Sequence, residues 1–307
     1  MRITTVFLLI LIIAGCNSMC FNNIDRCYQI YPVKEAKTIP TIDNTNKDKI
    51  IKTIFFGEEI RKANKEDEDC DYLVIGEKWA QSFIREEEAD KKYVSIDSIL
   101  DCHSLPYSEN QIVVTLNIYT PSVGQMLIYH VAVVILGENK NKDNYKILAE
   151  YYDVGKTFAP SVAVDLNNDG LMEIALFQGQ FWGHPWGHKF LNVLKSENNS
   201  LVNIMETTVN SFNYVLDTEI GTVSENYESS IEIDKNNTLG YCAIVKTGLQ
   251  IWTPHFVEGV EELDESRQPV SLIKVVREIF NWDGKKYNLS SAQILLEYKP
   301  LWLSSEH

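Results

Sequence analysis

Residues 161–176, SVAVDLNNDGLMEIAL, decide the fold class. The flanks SVAV and EIAL are short and strand-like, and between them the chain packs Asp, Asn, Asn, Asp and Gly. A turn needs one Gly and at most an Asn. It does not need Asp165, Asn167, Asp169 and Glu173 at alternate positions. Working outward, QIVVTLNIYT (111–120), MLIYHVAVVIL (126–136), YKILAEYYD (145–153), MEIALFQG (172–179) and KFLNVLKS (189–196) are β-branched and aromatic runs bounded by Asn, Gly, Asp and Lys. Short strands at this spacing predict a mainly β chain. The expected architecture is antiparallel β-sheets in a sandwich or a partial propeller-like assembly. One short N-terminal amphipathic helix is expected over EKWAQSFIREEEADKKY (77–93), with Glu86, Glu87 and Glu88 solvated. VVREIFNWDGKKYNL (275–289) reads as a hairpin turning on Asp283 and Gly284.

The oxygen chemistry of the loop has its own logic. Calcium is a hard cation that takes six to eight oxygens at about 2.3–2.6 Å. Asp165, Asn167 and Asp169 stand at loop positions one, three and five. Gly170 permits the bend, Leu171 offers its carbonyl, and Glu173 adds a carboxylate. An EF-hand needs flanking helices and an acid at position twelve. Here that position is Leu176 and the flanks are strands. The stretch resembles an FG-GAP or VCBS repeat, the calcium loop of integrin-α-type propellers. Phe158, the apolar strand to Val164, then Asp165, Asn167, Asp169 and Gly170 follow that pattern, with Ala159 in place of Gly and Glu173 in place of Asp. The resemblance is strict over about 20 residues and loose over 111–205. It implies one calcium held by Asp165, Asn167, Asp169, Leu171 and Glu173, at the modest affinity of roughly 10⁻⁴–10⁻³ M typical of extracellular modules. A weaker internal echo lies 69 residues on, where IEIDKNNTLGYCAIV (231–245) keeps Asp234 and Asn236 but has Thr238 and Cys242 in place of carboxylates. Strand–turn–strand without a metal is the expectation there.

Directly after the loop comes FQGQFWGHPWGHKF (177–190). Trp182, His184, Trp186 and His188 cluster there as candidate ligand-binding residues, suited to stacking on a sugar, a peptide or a cation. His184 and His188 are four apart, but Pro185 and Gly187 oppose a helix that would bring them together. His103 and His130 are isolated. The sequence holds no GxSxG and no phosphate-cradling glycine loop.

The 307-residue chain carries a formal charge of −15, which repels nucleic acid and suits neutral, basic or cationic partners. Its first residues, MRITTVFLLILIIAGC, have one early Arg and an apolar run shorter than the roughly 20 residues that span a bilayer. That is the layout of a secretory signal. Ile13-Ala14-Gly15-Cys16 resembles a bacterial lipobox, with Ile13 where Leu is usual. The resemblance implies a signal peptide over 1–15, acylation at Cys16 and a lipid-anchored cell-envelope protein on the exported side of a bacterial membrane. Residues 16–47 then read as anchor and tether, and 48–307 as a β-rich domain. Of the remaining cysteines, Cys70 and Cys102 bracket one segment and form the candidate disulfide pair. The function expected from these features is a binding or scaffold protein with one structural calcium and a glycan or protein ligand. The alternative is an exported hydrolase or carbohydrate-acting enzyme using 177–190.

Overall fold

The computed structural model describes residues 44–63, 70–79, 91–106, 110–121, 127–139, 144–181, 187–217, 221–234, 240–255 and 272–298. Among them one helix, α1 (Asn44–Ile54), precedes fourteen strands. The first sheet runs in sequence order through β1 (Glu59–Lys62), β2 (Tyr72–Ile75), β3 (Lys91–Asp101), β4 (Gln111–Pro121), β5 (Leu127–Asn139) and β6 (Asn144–Val154). The second runs through β7 (Lys156–Val164), β8 (Glu173–Phe181), β9 (Gly187–Glu197), β10 (Ser200–Asp217), β11 (Gly221–Asp234), β12 (Ala243–His255), β13 (Leu272–Trp282) and β14 (Tyr287–Tyr298). Every pairing is antiparallel, and neither sheet closes into a barrel. The mainly β, sandwich-like fold expected from the strand spacing is the one found.

Burial explains why particular runs form particular strands. β5 reads VAVVIL without alternation because both of its faces are covered. Val131, Val133 and Ile135 enter a core shared with Ala163, Ile174, Leu176 and Leu194 of the second sheet. Ala132, Val134 and Leu136 enter another core, closed by Ile50, Ile51, Ile54 and Phe55. The spacing of those four residues puts one apolar face of α1 on the first sheet. Between the sheets, polar pairs fix how β7 lies on β4. Thr115 and Ser161 hydroxyls meet at 2.9 Å, and the Asn117 amide donates to Thr157 Oγ1 at 2.6 Å. Thr157 in turn donates to Asp97 at 2.7 Å.

The second sheet folds over itself. β10 bonds β9 through Ser200–Phe212, but bonds β11 only from Asn210 onward. Bulges between Asn203 and Met205 and between Thr208 and Asn210 bend it where the partners change. Past that corner β7–β10 and β11–β14 diverge as two leaves. Ala175, Phe177, Leu191 and Val193 from one leaf meet Ile231, Ile244, Phe280 and Tyr287 from the other. The layers are therefore helix, first sheet, inner leaf and outer leaf.

Four expectations change in detail. The segment read as tether to residue 47 already contains the start of α1 at Asn44, where the polar NTNKD precedes the apolar face. The helix expected over 77–93 is not seen at its described ends. Glu77–Trp79 is a bend and turn, and Lys91–Tyr93 opens β3 to supply an edge for β2; residues 80–90 lie outside the described residues. Trp79 instead packs edge-on to Phe55 and stacks on Tyr152. The 275–289 hairpin forms, but its loop is four residues, since Trp282 pairs Tyr287. Gly284 still supplies a positive φ of 98°, and Asp283 accepts the Lys285 and Lys286 N–H groups. Cys70 and Cys102 stand as free thiols. Burial pushes the Cys102 thiol up to about 11, and it lies 3.2 Å from the Ser104 hydroxyl.

Candidate cation loop at the layer junction

The 165–172 loop joins β7 to β8 at the end of the molecule where three layers meet. Its backbone reaches each of them. Met172 N–H donates to the His103 carbonyl of the first sheet's β3–β4 connection at 2.8 Å. The Leu166 carbonyl accepts the Cys242 N–H of the outer leaf at 2.8 Å, and Asn168 donates to the Gly240 carbonyl. The Tyr287 hydroxyl is shared between the Leu166 carbonyl at 2.9 Å and the Cys242 carbonyl at 3.0 Å. Burial raises the pKa of Tyr287, with Glu173 adding to it, so the phenol stays a donor. Asn168 and Gly170 both take positive φ, which these residue types tolerate at low cost.

Inside the loop the oxygens are held one by one. Gly170 N–H donates to Asp165 Oδ2 at 3.1 Å, Asp169 N–H to Asn167 Oδ1 at 3.0 Å, and Leu171 N–H to Asp169 Oδ1 at 2.9 Å. Glu173 is 1 % exposed. Its Oε2 accepts the Leu166 N–H and its Oε1 the Asn167 amide, both at 2.8 Å. Asp165 Oδ1 is buried with no hydrogen-bond partner. The compensating cation is a side chain, Lys195 of β9. Its ammonium lies 2.7 Å from Asp169 and 3.7 Å from Glu173, and 5.2 Å from the centre of the Trp282 ring.

These contacts set the acidities. Burial, with Asp169 and Asp165 nearby, pushes the Glu173 carboxyl up to about 7, against the pull of the Leu166 N–H and Lys195. Asp169 is also penalised by burial, but Lys195 and the Leu171 N–H hold it below the usual carboxylate range.

Asp165, Asn167, Asp169 and Glu173 are each engaged within the one segment, and Leu171 enters through its N–H. The donor set is all hard oxygen, as calcium requires. As placed, however, the carboxylates serve N–H groups and Lys195. Among the described residues no group of three His, Cys, Asp or Glu side chains is arranged around a metal position. Lys195 and Tyr287 escaped the sequence reading. The signal for Lys195 was present, since Glu173 and Lys195 are equally far from His184, the midpoint of the β8–β9 hairpin. Tyr287, 121 residues from Leu166, left no local signal.

The echo at 231–245 forms the end of β11 and the start of β12, paired from Ile231 with Lys246 to Asp234 with Ala243. Its turn, 235–239, lies outside the described residues, as do Cys16, Trp182, His184 and Trp186. His188 sits on β9, opposite Gln180 and Ser211, with its ring stacked near Phe190. His130 is fully buried in β5 against Tyr152, and burial lowers its basicity. No helix among the described residues is long and apolar enough to cross a membrane. Comparison of the chain with protein-family models, with curated proteins and with solved structures found no match.

Proposed function

We propose that the chain is a lipid-anchored cell-envelope protein whose layered β domain serves as a binding or scaffold module, with the 165–173 loop as its junction and calcium as the cation that loop takes up. The observation that carries this reading is the buried Asp165 Oδ1 beside two further carboxylates, at the point where three layers are joined. Asp165, Asn167, Asp169, Glu173 and the Leu171 carbonyl would hold the ion. Bound there, it would neutralise charge that Lys195 now balances alone. The acidic composition suits a cationic ligand and supports a binding role.

Thermal melts in calcium and in chelator test the metal. A ligand that binds only the native state adds about 2.7 kcal/mol at one hundred times Kd. Calcium should raise the melting temperature, magnesium should do so less, and Asp165→Ala with Asp169→Ala should remove the difference. Coincident melts, with no calorimetric binding at millimolar calcium, would leave Lys195 as the loop's cation and end the calcium reading. A glycan and peptide screen followed by turnover assays separates a binding module from a hydrolase acting through 177–190.

A further inference from the structure

The stripe on the outer side of α1 is built unlike the rest of this acidic chain. Lys49, Lys52 and Thr53 follow helical spacing, and Phe56 continues the row just past the helix end. They line a shallow groove of about 460 Å³ whose other wall is Asn144, Tyr145 and Ile147 at the start of β6. Phe56 is 89 % exposed, more than any other large apolar side chain described. Its neighbour Phe55 is fully buried with Ile50, Ile51 and Ile54, so the fold does not need the Phe56 ring.

Charge sets this face apart as well. The groove is lined by Lys49 and Lys52 and by no acidic side chain, in a chain of −15; the acids within residues 44–62 are Asp48, Glu58 and Glu59. The three acids are engaged. Asp48 accepts the Tyr72 hydroxyl and lies 3.5 Å from Lys62, Glu58 accepts the Lys78 N–H and faces Lys92, and Glu59 binds Arg61. Lys52 is exposed and has no acidic partner within 4 Å among the described residues.

We infer that this face is a docking surface for an anionic lipid bilayer. Phe56 and Ile147 enter the interface, and Lys49 and Lys52 meet the headgroups. The shape suits a surface rather than a small ligand, because the groove is shallow and its apolar wall stands proud. Position along the chain agrees, since α1 is the first described element and 27 residues separate its start from Cys16. The inference rests on the reading of Cys16 as the anchor. A tethered domain needs only weak contacts to lie down, because the second contact is intramolecular.

The test uses residues 16–307 purified without acylation, sedimented with vesicles of phosphatidylcholine alone or with phosphatidylglycerol. Binding should require phosphatidylglycerol and weaken with salt. Lys49→Gln and Lys52→Gln should each lower partitioning about fivefold. Phe56→Ser should lower it by about fivefold or more, with far-ultraviolet dichroism unchanged. Sedimentation indifferent to lipid charge, or unmoved by these substitutions, overturns the proposal. So does full release by soluble glycerol phosphate, which marks a small-anion site. Mass spectrometry of the Cys16 peptide reads the anchor separately, so either idea can fail alone.

Discussion

Two strand–turn–strand hairpins, 69 residues apart in sequence, lie against each other at one end of this molecule and solve the same problem differently. Glu173 opens β8, and Cys242 stands just before β12 at the matching place. Both are buried, Glu173 at 1 % and Cys242 at 4 % exposed. Cys242 packs in the apolar core with Ile244 and Phe280. Glu173 is tied to the Leu166 N–H, the Asn167 amide and Lys195. A turn between such strands therefore does not require a buried carboxylate. The charge in the first hairpin serves the junction it makes with the other layers, which is why it is cross-linked so densely.

The largest effect that could break this contrast is a dependence on pH. In chelator, Glu173 binds its proton more tightly in the folded chain, at about 7, than at its ordinary value of 4.5. Its contribution is fully present below 4.5 and is lost as pH rises through about 7. The shift corresponds to about 3 kcal/mol. Urea unfolding across this range should show wild type losing that much relative to Glu173→Gln. The Gln variant keeps one acceptor oxygen for the Leu166 N–H and the Asn167 amide, so against the ionised wild type it forfeits one of these bonds, about 1 kcal/mol. Parallel stability curves for the two proteins would mean that Glu173 is no more costly to ionise than an exposed acid. The contrast with Cys242 would then lose its electrostatic content.

Much of this was legible in the sequence because strand periodicity and turn chemistry are local. MLIYHVAVVIL announced a strand, and DLNNDG announced a turn between two strands. The described helix, NTNKDKIIKTI, was not anticipated because EKWAQSFIREEE has the better helical composition. It forms through the burial of Ile50, Ile51 and Ile54 on the first sheet. The hairpin loop at 283–286 came out longer because Asp283 collects two backbone N–H groups that a two-residue turn would not offer. The fold of β10 onto two partners was not legible, since a bulge depends on its neighbours. The junction itself stayed hidden for the same reason: Lys195 and Tyr287 arrive from other elements.

Lys195→Met sharpens the comparison next. Its side chain is 17 % exposed, and its ammonium bridges Asp169 to Glu173. Removing one partner of a fully buried pair costs roughly 3–5 kcal/mol. Here Asp169 is partly solvated and Glu173 can take up a proton, so about 2 kcal/mol at neutral pH is expected by urea unfolding. The same variant should bind calcium more tightly than wild type, because the competing cation is gone. No change in either quantity would show that Lys195 is a surface decoration.

The smallest expected effect isolates the bond between the two hairpins. Tyr287→Phe keeps the ring in its place against Trp282 and deletes only the hydroxyl. That hydroxyl donates to both the Leu166 and Cys242 carbonyls. The Leu166 carbonyl retains the Cys242 N–H, so it is not orphaned, whereas the Cys242 carbonyl loses this donor within the core. The cost should be about 1 kcal/mol, that of one buried neutral hydrogen bond. Because the deleted group touches both hairpins, the loss should show in amide exchange at Leu166 and Cys242 together, with β4 and β5 unchanged. Combined with Lys195→Met, it should show coupling of at least about 0.5 kcal/mol if Glu173 and Tyr287 belong to one network. Additive losses would mean that the outer leaf is fastened independently of the charge beside it, and that the two hairpins are neighbours without being partners.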